Sequence, residues 1–471
     1  MSLTGRKSEQ EALKRITGSD EAEFVAVFGR RRVGKTFLIR EFFNHKFTFY
    51  HTGMANTGMD MQLHSFNNSL NNYSTVSYPK SKTWFDSFEQ LKHLLYNSRK
   101  KGKKVVFIDE MPWMDTPHSG FLAALEHFWN GWASGQKNIL LIVCGSATSW
   151  IINKLLNNHG GLHNRVTQKI HLRPFTLSEC EAYYQKRNIE MSRHEMVENY
   201  MIFGGIPYYL SLMQKQFSMA QNVNYILFAE NAALKDEFQN LYASLFRKAE
   251  NHIKIVEALS SKTKGLTRDE ILNATSLPNA GSTNRILVEL ELSGFIRRYR
   301  GYGKKIRQSL YQLVDFYTLF YMNFLKNNLF TDEQYWINFI ENARHRAWSG
   351  YAFEQVCLAH LPQIRQKLGI SGVLTNTYSW ISNDRENGAQ IDLVIERNDK
   401  VINLCEMKYA SEEFAIDKNL DDNLRHKRAA FKEETKTRKA VHVTMVTTYG
   451  LKRNKYWGNV QSEITVNDLF N

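Results

Sequence analysis

The sequence predicts an α/β protein of several domains. In the first third of the chain, buried apolar runs alternate with helical patterns, which is typical of a parallel sheet covered by helices. The middle has three helical segments followed by two strand-like runs, and the last quarter returns to an αβ pattern. At 471 residues the chain is too long for one hydrophobic core, so about two to four domains are expected.

Composition narrows the class of partner. The chain has 61 Lys and Arg against 47 Asp and Glu, a net charge of +14, which favours a polyanion, and nucleic acid before membrane. The four cysteines form no CxxC pair, so neither a zinc site nor a disulfide framework is indicated. The N-terminus has no signal-peptide pattern, and the longest apolar run, 139–152, is too short and polar to span a bilayer. We therefore expect a soluble, cytoplasmic protein with no membrane partner.

A phosphate-binding loop follows the first strand-like run, residues 24–28. The segment GRRRVGKT matches GxxxxGK[ST] and leads into a helical pattern. Glycines let backbone N–H groups surround phosphates, Lys35 neutralises their charge, and the hydroxyl of Thr36 ligates Mg²⁺. The loop predicts an ATP site with Mg²⁺. Its predicted nucleotide-binding residues are Gly29, Arg32, Val33, Gly34, Lys35 and Thr36.

Two further apolar runs end in polar residues that suit this site. The run 103–108 leads into Asp109 and Glu110; Asp109 is predicted to hold the Mg²⁺ and Glu110 to orient or deprotonate the attacking water. The run 138–145 ends in Ser146. Ser146 either senses the γ-phosphate or simply ends a strand, and the sequence leaves both open.

Together, GRKSEQEAL, GRRRVGKT, VVFIDEMPWM, LIVCGSATSW, LHNRVTQKIHLRPF and FGGIPYYL resemble the archaeal-type ATPases, a branch of the STAND/AAA+-like P-loop proteins, over roughly residues 1–330. The resemblance implies that Arg165 contacts the γ-phosphate, in cis or from a neighbouring subunit, or else caps a surface loop. It also implies that Gly204, Gly205 and Pro207 form a hinge turn below a helical lid, the alternative being a plain helix stop.

The middle segment has the layout of a winged helix-turn-helix. Thr267 and Glu270 form a capping box at the second of three helical segments, and two strand-like runs follow around a Gly-rich turn. Basic residues cluster in the hairpin without an intervening acid, which predicts phosphate contact by the wing; the alternative is a structural packing module. The predicted DNA-binding residues are Arg285, Arg297, Arg298, Arg300, Lys304, Lys305 and Arg307.

The last quarter places acids and a base on one hairpin. Two strand-like runs flank the turn 398–400, so Asp392 is expected to lie opposite Glu406, beside Lys408. Paired carboxylates stay charged only with a cation between them, which predicts Mg²⁺ held by Asp392 and Glu406. Lys408 would then activate water, and Glu354 would lean in from an upstream helix. A plain ion pair between Glu406 and Lys408 is the alternative.

This E…D…ExK order resembles the PD-(D/E)XK, restriction-endonuclease-like fold over about 348–450. Ile391 stands where that pattern often has proline. The resemblance implies catalytic roles for Glu354, Asp392, Glu406 and Lys408, with Mn²⁺ as a possible substitute for Mg²⁺. Lys427 and Arg428 on the following helix either touch the DNA backbone or form a solvated helix face.

The predicted architecture is a P-loop parallel sheet with a helical lid, a winged helix-turn-helix and a C-terminal α/β restriction-endonuclease-like domain. Its boundaries are 1–177 for the ATPase domain, 178–247 for the lid, 248–315 for the winged helix, 316–347 for a helical connector and 348–471 for the nuclease-like domain.

Two functions are compatible with the sequence. The first is an ATP-dependent or ATP-gated, Mg²⁺-dependent DNA endonuclease, in defence or mobile-element biology. The second is a nucleotide-switched DNA-binding regulator whose C-terminal domain does not cut. RNA is a weaker alternative to DNA because the backbone charge is shared, and a homo-oligomer is plausible for this class of P-loop protein.

Overall fold

The computed structural model describes two compact units, residues 1–174 and 175–471. Unit one ends near the predicted boundary at 177, while the later predicted boundaries all fall inside unit two. The predicted connector 316–347 lies partly outside the described residues. The described residues are 3–157, 161–162, 164–246, 248–328, 334–339, 342–384 and 388–471.

The first unit is built on a five-stranded sheet. Its order is β2-β3-β4-β1-β5, and every neighbouring pair is parallel. The three central strands are continuous apolar runs because both sheet faces are covered. The strands are β1 (Glu23–Phe28), β2 (Phe49–Thr52), β3 (Lys104–Asp109), β4 (Ile139–Gly145) and β5 (Gln168–His171).

Helices cover this sheet. One hydrophobic core joins Phe24 of β1 to Phe66, Trp84 and Phe121 on three helices. Short 3₁₀ or π-helical turns lie at Met111–Trp113, Ala133–Gly135 and Ile151–Leu156. The helices are α1 (Lys7–Thr17), α2 (Lys35–Phe42), α3 (Met59–Asn72), α4 (Trp84–Asn97), α5 (Phe121–Gly131) and α6 (Thr148–Trp150).

The second unit begins with short helices where the lid is predicted. Capping boxes at Thr176 and Ser192 start the first two. The helices are α7 (Leu177–Lys186), α8 (Arg193–Phe203), α9 (Pro207–Ser211), α10 (Met219–Val223) and α11 (Glu237–Leu245), with a π-helical turn at Asn224–Phe228.

Three helices and a small antiparallel sheet of order β6-β8-β7 follow. The predicted capping box is confirmed, since Thr267 N donates to Glu270 Oε2 at 2.7 Å and Glu270 N to Thr267 Oγ1 at 3.3 Å. The elements are α12 (Ala249–Ser260), β6 (Leu266–Thr267), α13 (Arg268–Thr275), α14 (Gly281–Leu292), β7 (Ile296–Tyr299) and β8 (Leu310–Leu313), with a 3₁₀ turn at Ile306–Gln308.

The C-terminal segment forms a mixed sheet of order β13-β12-β11-β10-β9. Strands β9, β10 and β11 are antiparallel, and β12 and β13 run parallel to β11. The elements are α15 (Phe316–Phe320), a π-helical turn Tyr321–Leu325, α16 (Tyr335–Phe339), α17 (Ala343–Ala359), α18 (Leu361–Lys367), β9 (Thr375–Ile381), β10 (Gln390–Arg397), β11 (Val401–Lys408), α19 (Lys418–Thr435), β12 (Ala440–Thr447), β13 (Ser462–Thr465) and 3₁₀ turns at Trp457–Asn459 and Val466–Phe470.

Two expectations from the sequence concern the whole chain: the state of the cysteines and the presence of a bilayer-spanning helix. All four cysteines are buried and free of disulfide bonds. Among the helices of the described residues, none has both the length and the apolar character that crossing a bilayer requires.

The predicted turn at Gly204 and Gly205 needs glycine for a local reason. Gly205 has φ +66°, and a Cβ there would lie 2.3 Å from the carbonyl oxygen of Phe175. The carbonyl of Gly205 also accepts a hydrogen bond from Phe175 N at 2.8 Å. The turn therefore ends α8 and fixes the start of the second unit; its role as a hinge stays a prediction.

Replacing Gly205 with alanine should destabilise the second unit more than the same change at Gly303. Both glycines have positive φ, which costs alanine about 1–2 kcal/mol, but Gly303 has no heavy atom within 4 Å of its would-be Cβ. Overpacking at Gly205 adds about 1–3 kcal/mol. Thermal unfolding of the full chain measures the difference, and equal melting temperatures for the two variants would contradict it.

Candidate functional site

The phosphate-binding loop is held in shape by its own lysine. Lys35 is 4% exposed, and its Nζ donates to the carbonyl oxygens of Gly29 at 3.0 Å and Arg30 at 2.9 Å. Gly29 has φ +145°, and a Cβ there would lie 2.2 Å from the carbonyl oxygen of Leu172, so no other residue fits. Gly34 stands at the start of α2 with φ +89°. The ammonium group of Lys35 thus lies inside the ring of the loop, where phosphate charge is neutralised.

Arg32 and Val33 take different places in the same loop. Val33 is 1% exposed, so its side chain packs inward and only its backbone is left to contact a phosphate. Arg32 has φ +70°. Sequence reasoning missed Arg6, whose guanidinium donates to the carbonyl oxygens of Val33 at 3.1 Å and Arg173 at 2.6 Å. A lone arginine before a helix carries no signal of this tertiary contact.

Thr36 and Asp109 meet as the sequence predicts. Thr36 Oγ1 donates to Asp109 Oδ2 at 2.7 Å. Burial raises the pKa of Asp109, the hydrogen bond from Thr36 opposes the rise, and the charge of Glu110 adds to it. A hydroxyl beside a buried carboxylate offers the oxygen ligands that Mg²⁺ prefers. These two residues therefore fit a magnesium ion.

Ser146 links the lysine to the second acid. Strand β4 lies between β1 and β3 in the sheet, so the residue that follows β4 stands between Lys35 and Glu110. Lys35 Nζ donates to Ser146 Oγ at 3.1 Å, and Ser146 Oγ donates to Glu110 Oε1 at 2.7 Å. Ser146 N also donates to Glu110 Oε2 at 3.1 Å. These bonds orient both groups, which favours a functional role over a plain strand end.

Arg165 lies near the amino-terminal ends of the strands, opposite the end that holds the phosphate-binding loop. Strand β5 runs parallel to β1 from Val25 opposite Gln168 to Phe28 opposite His171. Arg165 precedes β5 and is exposed, whereas the phosphate-binding loop follows the carboxyl end of β1. The length of the strand, about 3.3 Å per residue, separates them. The structure therefore argues against the predicted contact in cis, while contact from a neighbouring subunit stays a prediction.

The C-terminal hairpin has nearly the predicted register. The last pair of β10 and β11 is Leu393 opposite Cys405, and Asp392 stands one residue beyond it. The pairing of β10 with β9 shifts register between Ile391 and Val394, so Asp392 lies in a bulge. Its Oδ1 accepts a hydrogen bond from Gln390 Nε2 at 2.6 Å. This bulge faces β9, whereas the register of β10 with β11 is the predicted one and its ladder ends one pair before Asp392 and Glu406. The pairing of these two acids stays a prediction.

Glu406 is compensated by two lysines. Lys408 Nζ lies 2.9 Å from Glu406 Oε1, and Lys427 Nζ lies 2.8 Å from Glu406 Oε2. Burial by itself would raise the pKa of Glu406, but Lys427 and Lys408 hold it below its ordinary value. The plain ion pair between Glu406 and Lys408 is therefore present. Lys427 faces this carboxylate, which corrects the prediction that it touches DNA or only solvent.

Glu354 has no basic ion-pair partner among the described residues, and its pKa is raised by its surroundings. It lies on α17, which packs against β11. Burial, with the charges of Asp392 and Glu406, raises the pKa of Glu354 to about 8. In the described part of the chain no group of three His, Cys, Asp or Glu is arranged to hold a metal. As they stand, Asp392 and Glu406 do not form the predicted Mg²⁺ site, because lysines occupy both oxygens of Glu406.

The basic hairpin of the middle segment is partly docked. Gly301 forms a bridge with Ser379 of β9, and Tyr302 N donates to the carbonyl oxygen of Ser379 at 2.7 Å. Lys304 Nζ donates to Asn383 Oδ1 at 2.9 Å, and Arg300 Nη2 donates to the hydroxyl of Tyr378 at 3.3 Å.

The structure therefore divides the predicted DNA-binding set. Arg300 and Lys304 remain exposed but hydrogen-bond to Tyr378 of β9 and to Asn383 just after it, and Arg297 is half-buried. These contacts are those of the packing alternative, and phosphate contact by the wing stays a prediction. The remaining four residues of the set are exposed and have no contact with the C-terminal sheet in the described part of the chain: Arg285, Arg298, Lys305 and Arg307.

Comparisons with known proteins agree with the first site. Residues 3–213 match the family described as an ATPase domain predominantly from Archaea. The chain therefore contains an archaeal-type ATPase domain, as predicted, although the match ends well before residue 330.

Three of the similar proteins and structures come from archaea. An uncharacterized protein of Methanocaldococcus jannaschii is 24% identical over 413 residues, 86% of this chain and 87% of that protein. A Walker-type ATPase of Pyrococcus abyssi has a TM-score of 0.49 at 15% identity, covering 68% of this chain and 96% of that one. The ORC2 protein of Aeropyrum pernix, in ADPNP–ADP complexes, has a TM-score of 0.41 at 15% identity, covering 67% and 91%.

Replacing Glu110 with glutamine should separate ATP binding from hydrolysis. The amide retains the size of the side chain and an oxygen that accepts from Ser146, but it cannot accept a proton from water. We expect ATP affinity within a few-fold of wild type and a kcat lower by about 10²–10⁴. Equilibrium binding and phosphate release measure both, with the exposed Glu89→Gln of α4 as control. A kcat near wild type would remove Glu110 from the reaction.

Stability without divalent ions should fall as pH rises from about 4.5 to 8. Between the ordinary pKa of 4.5 and the raised value of about 8, the folded chain keeps a proton on Glu354 that the unfolded chain loses, so unfolding becomes easier. Glu354→Gln removes this slope, and the exposed Glu412→Gln retains it. Melting temperatures at pH 5, 6.5 and 8 in chelator test this, and parallel curves for wild type and Glu354→Gln would contradict it.

Proposed function

We propose that this ATPase domain controls a Mg²⁺-dependent DNA endonuclease in the C-terminal part of the chain. The observation that carries the nuclease is that Glu354 and Asp392 line one cavity; burial, with the charges of Asp392 and Glu406, raises the pKa of Glu354 there to about 8. Carboxylates crowd in this way at sites that take a cation. Without one, Glu354 stays protonated near neutral pH.

In the ATPase domain, each residue has a role that follows from its contacts. Lys35 neutralises the phosphates from within the loop. Thr36 and Asp109 would hold Mg²⁺, which would supply charge stabilisation to the transferred phosphate. Glu110, oriented by Ser146, positions the attacking water.

In this proposal the side chains around Glu406 have two arrangements. In the observed state Lys427 and Lys408 neutralise Glu406. In the cutting state Lys427 would leave Glu406, so that Asp392 and Glu406 would be free to hold Mg²⁺, and Lys408 would orient the attacking water. A bound Mg²⁺ would supply Lewis-acid chemistry for hydrolysis of the phosphodiester. Mn²⁺ satisfies the same oxygen ligands.

DNA is the proposed partner because the net charge is +14 and exposed basic residues remain beside the docked hairpin. Arg285 lies at the start of α14, and Lys305 and Arg307 lie between β7 and β8. The element order of α12–α14 and this hairpin is that of a winged helix-turn-helix. RNA shares the backbone charge and is the weaker alternative.

The second candidate is a nucleotide-switched DNA-binding regulator that does not cut. The ion pairs of Glu406 favour it, because two lysines already neutralise the carboxylate that a catalytic metal requires. The two candidates differ in one respect: the nuclease requires Lys427 to leave, and the regulator does not.

Cleavage of supercoiled plasmid, linear duplex and single-stranded DNA in Mg²⁺, with and without ATP, tests the proposal. We expect Asp392→Asn and Lys408→Ala to abolish cutting, since each loses a metal ligand or the water-orienting amine, and Lys35→Ala to abolish only its dependence on ATP. Lys427→Met should lower the Mg²⁺ concentration needed for half-maximal cutting, because the competing ammonium group is gone. The exposed Arg428→Met on the same helix is its control.

Binding without cutting in every lane, with Mn²⁺ also tried, would establish the regulator instead. Equal Mg²⁺ requirements for Lys427→Met and Arg428→Met would be compatible with a nuclease. They would show that Lys427 does not compete with the metal.

A further inference from the structure

A cavity of about 640 Å³ lies where the middle segment meets the C-terminal sheet, within the second unit. Its walls combine two parts of the chain that the sequence treats as separate domains. Glu354 and Asp392 come from the C-terminal part, and Arg297 and Tyr299 come from β7. The hydrogen-bonded docking of Gly301 and Tyr302 on β9 continues the same contact. Glu354 and Asp392, two of the acids of the proposed nuclease, thus line a space that β7 helps to enclose.

Arg297 enters this cavity with its charge uncompensated. Its Nη2 donates to Gln312 Oε1 at 2.5 Å and lies 3.5 Å from Gln355 Oε1. Its Nε is fully buried and has no hydrogen-bond partner. Among the described residues, no carboxylate lies within ion-pair distance of Arg297. Two neutral amides orient the guanidinium, and neither neutralises it.

The surroundings hold that guanidinium in one direction. Gln312 is itself fixed, since its Nε2 donates to the carbonyl oxygen of Thr263 at 2.8 Å. Gln355 follows Glu354 on α17 and is 3% exposed. The Arg297 guanidinium also lies 5.5 Å from the ring centroid of Tyr299. An inward-facing arginine with donors to spare and no anion beside it is arranged to receive one.

A phosphodiester matches this arrangement better than a carboxylate. Guanidinium groups bind phosphate oxygens through parallel N–H donors, and Tyr299, Tyr351 and Tyr378 line the cavity with rings on which a base can stack. The volume admits one or two nucleotides rather than a duplex.

We propose that Arg297 binds the phosphate of a single-stranded nucleotide in this cavity, so that the middle segment completes the C-terminal site. The proposal deepens the nuclease function and rests on it for its purpose. It assigns Arg297 to the interior of a site, while the exposed arginines of the same hairpin remain outside. The substrate segment it implies is unpaired, either a strand end or a nucleotide displaced from a duplex.

The test is binding of fluorescein-labelled pentathymidylate to the full chain, measured by anisotropy in Ca²⁺. All proteins carry Lys35→Ala so that the phosphate-binding loop does not contribute. Arg297→Gln should weaken binding by about tenfold or more, and Arg297→Lys should weaken it less, because the charge remains but the guanidinium fork is absent. The exposed Arg453→Gln, far along the chain beyond β12, should match wild type. Melting temperatures verify that each variant is folded.

The salt dependence gives a readout that a purely structural role would not change. Each phosphate of a single strand that a protein neutralises adds about 0.7 to the steepness of log K against log salt. Arg297→Gln should therefore show a slope that is shallower by about that amount. Binding by Arg297→Gln within twofold of wild type, or no binding by the parent protein, would overturn the proposal.

Cleavage assays separate this outcome from that of the nuclease. Cutting that depends on Asp392 and Lys408, with pentathymidylate binding indifferent to Arg297, rejects the phosphate site alone. Binding that depends on Arg297, with no cutting of any DNA, retains the phosphate site and rejects the nuclease.

Discussion

Burying a charge costs several kcal/mol unless opposite charge or hydrogen bonds compensate it, and each functional group here is placed by that constraint. In the ATPase domain, Lys35 is buried among carbonyl oxygens and Ser146. Those acceptors are partial charges, so a phosphate is a stronger partner. The lysine is therefore stabilised without nucleotide, yet it loses little when nucleotide replaces some of its bonds.

The C-terminal part meets the same constraint in three different ways. Glu406 is compensated by Lys408 and Lys427. Glu354 avoids the charge by retaining its proton, as its raised pKa shows. Arg297 can do neither, since a guanidinium does not lose its proton in proteins, and it is only oriented by amides. These three responses make the region sensitive to any added ion, since a divalent cation and a phosphate would together change the state of all three.

Hydrogen bonds join the C-terminal sheet to the helices that precede it in the chain. Tyr409 follows Lys408, and its hydroxyl donates to Glu198 of α8 at 2.7 Å and lies 3.0 Å from His194 Nε2. The end of β11 is thus bonded to α8, and β9 is bonded to the basic hairpin. Movement of α8 or of the basic hairpin would therefore be transmitted to Asp392 and Glu406 through hydrogen bonds rather than through loose linkers.

The sequence by itself determined the elements and the chemistry of single motifs. The phosphate-binding loop, the strand ending in Asp109 and the hairpin of Asp392 and Glu406 are local patterns, in which residue type and period suffice. Tertiary structure decided what those side chains contact. An extra residue in β10 placed Asp392 in a bulge beside β9, and parallel pairing of β5 placed Arg165 at the end of the strands away from the phosphate-binding loop. The pairing of β7 with β8 placed Arg297 opposite Gln312. Such contacts join residues far apart in sequence, and no local period records them.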